Sequence, residues 1–334
     1  MTRKTEKPIT ITDVARHAGV SLSTVSRVMN GNPTVDPALA KRVRASAQRL
    51  DYAASPLARS LVLGRTQTIA VVIPDLGNPT FQAILRGLSR AAAADGYHVL
   101  VADSAEVVEE ERILATELRR RTDGIVLCAP RMASDELAAV LPQVQPAVLV
   151  NREPSLGTPV ISADYGIALR GLIDHLHQLG HRHLVYLAGT TRSISNAARI
   201  AAIARARAEL PGLRIDELTA GVDFDSGAAA ADAVLATPAT GVLAFNDLVA
   251  MGLLSALHDR GKRVPDDISV AGFDDIPFAR YTTPPLTTAA VPAADIGARA
   301  WLALRDRLNG EPASPATVLS PSIMVRQSTG PTPA

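Results

Sequence analysis

Apolar positions in the first fifty residues recur three and four apart, whereas from about residue 67 they gather into short continuous runs. That change of period predicts two kinds of structure in one chain. In "TITDVARHAG", Ile11, Val14, Ala15 and Ala18 share one helical face, Thr10 stands at the cap and Asp13 completes a capping box. Gly19 suits the left-handed turn that ends such a helix, and Ser21 caps the next one, "SLSTVSRVMN". There Val25, Val28 and Met29 face inward, leaving Leu22, Ser23, Ser26 and Arg27 outward. A third helix opens at Asp36 and Pro37, with Leu39, Val43, Ala47 and Leu50 at helical spacing.

Further along, "IAVVIP", "YHVLVAD", "GIVLCAP", "AVLVN", "HLVYLAG", "GVLAFND" and "ISVAGFDD" alternate with helical stretches. Strand and helix in alternation predict doubly wound parallel sheets, and the series is long enough for two lobes, about 67–164 and 165–289. Ligands bind such sheets beyond the carboxyl ends of the strands, so the polar residues there are the candidates. Asp75 and Asn78 follow the first run, with Phe81 close by to stack on a ligand. Asn151 and Arg152, Asn246 and Asp247, and Asp274 and Asp275 follow later runs.

Charge changes the picture more than length does. The net charge is +1, yet residues 1–65 hold eleven Lys or Arg against four Asp or Glu, and the remainder 23 against 29. A small basic module on a larger acidic body reads as a polyanion-binding head. Two short helices joined by a glycine turn form a helix-turn-helix, whose second helix enters the DNA major groove. Ser21, Thr24 and Asn30 can then bond phosphates, and Arg27 can reach a guanine edge. The 334 residues and 47% hydrophobic content suit at least two domains. The start of the sequence lacks a signal pattern and no run is long enough to span a membrane, so the expected location is the cytoplasm. Cys128 is the single cysteine, which excludes a disulfide framework.

"ITDVARHAGVSLSTVSRVMNG" and "VDPALAKRVRASAQRLDYAASPLARSL" closely resemble the headpiece of the LacI/GalR family of bacterial transcription regulators, and "GVLAFNDLVAMGLLSALHDRGKRVPDDISVAGFDDIPFARYTTPPLTT" carries the resemblance through the body. The resemblance implies an all-α helix-turn-helix head (1–54), a hinge helix and linker (55–66) and an α/β periplasmic-binding-protein-like core (67–334) whose segment 290–327 returns to the first lobe. It further implies a homodimeric repressor on palindromic operator DNA. Leu22, Ser23 and Arg27 match base-facing positions, and Ala58 and Leu61 match hinge residues over the minor groove. Arg199, Asn246 and Asp274 match effector-binding positions, and the implied effector is a small molecule, a sugar or sugar derivative. Ala197, Ala202, Ile203 and Val222 depart from the family's pocket pattern, which keeps nucleoside-responsive and corepressor-dependent readings open.

An enzyme is the rival class, but the chain has no glycine-rich dinucleotide fingerprint, Walker loop or nucleophile elbow, and neither catalytic residue nor cofactor is expected. His175, His177, His181 and His183 fall on different faces around Gly180, which disfavours a shared metal. A solute-binding protein would share the lobes, but not the basic head.

Overall fold

The computed structural model describes residues 9–29, 34–52, 64–153 and 157–333. They fall into two units, one ending at Gln67 and one beginning at Thr68.

The first unit holds α1 (Ile11–Ala18), α2 (Leu22–Met29) and α3 (Pro37–Arg49). The Asp13 carboxylate accepts from the Thr10 backbone N–H at 3.0 Å, and Gly19 turns the chain at φ 64°. Val20 then donates to the Ala15 carbonyl at 3.1 Å and joins the core. Asp36 caps α3 by accepting from the Leu39 N–H at 2.9 Å. Val14, Val25, Val28, Val43 and Ala47 form the centre of a small apolar cluster. The expected face of α3 is rotated slightly: Ala40 and Ser46 are buried, while Leu39 and Leu50 lie half-buried at its edge.

The second unit contains two six-stranded sheets of matching order. The first runs β2 (His98–Asp103), β1 (Thr68–Ile73), β3 (Gly124–Cys128), β4 (Ala147–Val150), β5 (Val160–Ala163), β11 (Thr317–Leu319), with every neighbouring pair parallel. The second runs β7 (Arg214–Thr219), β6 (His183–Ala188), β8 (Gly241–Ala244), β9 (Ser269–Asp274), β10 (Thr287–Ala290), β12 (Ser322–Met324), and only β12 is antiparallel. In each sheet the winding reverses between the first and third strands of the lobe, which opens a crevice at their carboxyl ends.

The lobes also share a way of packing helices. In the first, α4 (Pro79–Ala94) crosses α12 (Ala293–Leu308), and a Cβ on Gly87 or Gly297 would stand 1.9 Å from a carbonyl oxygen of the opposite helix. In the second, α9 (Phe224–Ala229) crosses α11 (Asp247–Asp259), where Gly227 and Gly252 meet the same limit at 2.1 and 1.9 Å. Trp301 pins α12 to the first lobe, fully buried with its indole N–H on Asp95 at 2.7 Å and its ring 4.9 Å from Tyr97. The chain passes between lobes three times: before α7 (Tyr165–Gln178), between β10 and α12, and between β11 and β12. The segment 290–327, expected to return whole to the first lobe, instead divides: α12 and β11 lie in the first lobe, while β12 and the following Ser328 and Thr329 lie in the second, because β12 pairs with β10.

Candidate functional site

The two crevices face one another across a cleft lined by residues of both lobes. Seven of the ten candidates, Asp75, Asn78, Phe81, Asn151, Arg199, Asn246 and Asp274, line it. Each has a local reason to be where it is. Asn78 caps α4 by accepting from the Thr80 N–H at 2.9 Å, and Asp75 closes a turn on the Gly77 N–H at 2.7 Å. Asn246 caps α11 through the Val249 N–H at 2.8 Å while its amide donates to the Val222 carbonyl at 2.8 Å. Asn246 therefore shapes the wall with its side chain already engaged.

Arg199 differs from all of these. It sits on α8 (Ile194–Glu209) with 1% of its surface exposed, and its Nε and Nη1 have no hydrogen-bond partner. In place of an ion pair, three aromatic rings surround the guanidinium: Phe273 at 3.9 Å and Tyr165 and Phe245 each at 4.7 Å. Such contacts offset part of the cost of burying the charge but leave its N–H donors unspent. Nearby Asp274 has its pKa raised to about 6 by burial, against the pull of Arg199. Burial also lifts the Tyr165 phenol above its ordinary range.

Backbone strain collects at the same place. Ala129, Asn151, Glu106 and Asp274 all line the cleft with positive φ, at 47°, 52°, 60° and 109°. Conformations of this kind cost energy for residues with a Cβ and persist where the surroundings enforce them.

Of each polar pair after a later strand, the first member lines the cleft and the second builds the frame. Arg152 donates to the Pro130 and Met132 carbonyls at 3.0 and 2.8 Å. Asp247 accepts from the Thr288 hydroxyl at 2.6 Å and the Ile276 N–H at 2.9 Å, and Asp275 pairs with Arg326 at 2.6 Å. These three are not in the cleft lining, because their side chains are held by these partners in the frame behind it. Val222 does line the cleft, whereas Phe224 is exposed at the start of α9.

Sequence reasoning missed Glu106, Arg131, Tyr165, Ser193, Ser195 and Phe245, which also line the cleft. Phe245 was within reach, since it belongs to the same "GVLAFND" run as Asn246. Three of the four histidines are engaged separately, His175 with Thr329, His181 with Thr240 and Gly330, and His183 with Asp216, while the His177 Nε2 is buried without a partner.

In the first unit, α2 presents the expected outward face. Leu22 is 48% exposed, and Ser23 and Arg27 are exposed beside it. Ser21 caps α2 through the Thr24 N–H at 3.2 Å, and its hydroxyl lies 2.9 Å from those of both Ser23 and Thr24. Ser26 is half-buried rather than outward. Asn30, Ala58 and Leu61 lie outside the described residues.

Among the described residues, no helix is long and apolar enough to cross a membrane. Residues 10–55 match the model for bacterial regulatory proteins of the lacI family, and residues 173–329 match that of the periplasmic binding protein-like domain. Catabolite control protein A of Priestia megaterium is 31% identical over 96% of this chain and 99% of its own. The crystal structure of the lac repressor dimer bound to operator and the anti-inducer ONPF superposes with a TM-score of 0.88 at 26% identity, covering 97% of this chain and 100% of that one. A complex of the transcriptional regulator CelR with cellobiose gives 0.71 at 27% identity, covering 96% and 99%. The chain, from its head through its two-lobed core, belongs to the lacI family of bacterial transcriptional regulators.

Proposed function

We propose that this protein is a cytoplasmic, homodimeric, non-enzymatic repressor whose operator affinity is set by a hydroxylated small molecule bound between the lobes of the core. Arg199 carries the reading: a buried cation whose Nε and Nη1 are unpartnered, facing a cleft, is satisfied by a ligand that accepts hydrogen bonds. Asp274, with a carboxylate oxygen for ligand hydroxyls, complements it. The cellobiose held by the CelR structure is an occupant of this chemical kind.

In the head, Arg27 supplies a guanidinium fork for a guanine while Leu22 and Ser23 face neighbouring bases. Ser21, Thr24 and Asn30 hold phosphates. The DNA-binding domain is residues 1–54, the hinge is 55–66 with Ala58 and Leu61 over the minor groove, and the core is 67–334. The operator-bound lac repressor dimer supports this assignment.

Gel shifts on the DNA upstream of the chain's own gene, with and without candidate sugars, test both halves. Arg27→Ala should weaken binding by about 1–3 kcal/mol and relax one base pair in each half-site. Arg199→Ala should abolish the ligand response and leave operator affinity within a few-fold. Unchanged base selectivity in the first variant, or an unchanged response in the second, would overturn the corresponding half.

A further inference from the structure

The first-lobe wall of the cleft holds a second arginine in a different condition. Arg131 meets Glu106 through two parallel bonds, Nε to Oε2 at 2.6 Å and Nη2 to Oε1 at 2.8 Å. The arginine side chain is 6% exposed and the glutamate 28%. A bidentate pair of this kind offsets the guanidinium charge, so Arg131 is not an anion receptor. Its Nη1 also donates to the Ala129 carbonyl at 3.2 Å. Of five N–H donors, those three bonds use three, and each Glu106 oxygen keeps a lone pair. The pair therefore offers the cleft a donor and an acceptor side by side.

Its position is fixed from behind. The buried Glu111 carboxylate accepts from the backbone N–H of Arg131 at 2.9 Å and of Met132 at 3.0 Å. Arg152 holds the flanking carbonyls of Pro130 and Met132. The turn is thus gripped by its donors and its acceptors at once, and Arg131 cannot readily swing toward a ligand anion.

A hydroxyl, which donates and accepts, matches this arrangement. A phosphate ester only accepts, and it would meet the Glu106 charge. The remaining charged groups of the lining, Asp75 and Asp274 against Arg199, add no positive surplus.

We propose that Glu106 and Arg131 form a hydroxyl-reading pair that selects neutral polyhydroxylated effectors and rejects their phosphorylated forms. The inference rests on the cleft being the effector site, and its test separates the two. The probes are inorganic phosphate and ribose 5-phosphate, added to the full chain and followed by thermal shift and calorimetry. The unsubstituted protein should show no stabilisation by millimolar phosphate. Glu106→Gln, which frees Arg131, should gain a phosphate-dependent rise in melting temperature and bind ribose 5-phosphate at least about tenfold more tightly. The double variant Glu106→Gln/Arg131→Gln should lose both gains, while Arg199→Met in the Glu106→Gln background should retain the inorganic phosphate response. The effector reading depends on Arg199 and this response does not, so the two fail separately. Phosphate stabilisation of the unsubstituted protein, or no gain in Glu106→Gln while that variant melts cooperatively, would overturn the proposal.

Discussion

The two lobes share a strand order and a glycine-to-glycine helix crossing, yet they treat a buried arginine in opposite ways. In the first lobe Arg131 is paired with Glu106 and its turn is held by Glu111 and Arg152. In the second, Arg199 lies among aromatic rings with donors unused. A fold repeated twice therefore carries one wall that is electrostatically complete and one that a partner must complete. Topology fixes where a crevice opens, and the side chains decide which wall seeks a ligand.

The shared frame is the place to expect the largest effect. Gly297→Leu in the first lobe and Gly252→Leu in the second each drive a side chain into backbone that cannot yield, and each should cost at least about 3 kcal/mol in urea unfolding of the core. A substantially smaller loss in either lobe would show that its crossing is looser than its twin.

Truncating the arginines should separate the lobes. Arg131→Met leaves Glu106 without its partner and should cost about 2–3 kcal/mol, below the full value for a buried pair because Glu106 is partly solvated. Arg199→Met removes a charge that is not ion-paired, so ligand-free stability should fall by less than about 1 kcal/mol or rise, while ligand binding is lost. Equal destabilisation by the two substitutions would erase the contrast.

Acid sharpens the comparison further. Burial raises the Asp274 pKa to about 6, so in the folded protein the proton is held more tightly than in the unfolded chain. Its ionised form is the one that accepts ligand hydroxyls. Ligand affinity should therefore be full near neutral pH and fall as the pH drops through about 6, roughly tenfold weaker one unit below. Over the same window, from about 6 toward the unfolded carboxylate value, this group makes the ligand-free protein more stable as pH falls. Calorimetric titration across that range measures the first effect, and a flat profile would remove Asp274 from the contact.

Much of the architecture could be read from apolar runs, because central parallel strands are buried on both faces. The exceptions were strands of other kinds. β7, "RIDELT", buries only Ile215 and half-buries Leu218, so it lacks a run; β5 and β10 are four residues long and include Ser or Thr. The cleft was legible where a candidate followed directly on a run, as with Asn151 and Asn246. Glu106 and Arg131 were not, since each lies three residues past its strand on a turn whose strained backbone has no counterpart in hydropathy. Sequence order also could not show which of two adjacent polar residues would be drawn inward, as Asp247 was toward Thr288 while Asn246 stayed at the cleft.

The split C-terminal segment has a consequence for synthesis. The head is contiguous and can fold once its third helix has left the ribosome, but the first lobe lacks α12 and β11, and the second lacks β12, until residues 293–324 have been made. At about 5–20 residues per second, the interval between residue 52 and residue 324 lasts roughly 14–55 s. Once the first-lobe strands up to Ala163 are made, the apolar surface beneath Trp301 stays open until α12 follows, so both halves of the ligand cleft depend on residues 293–324 being translated.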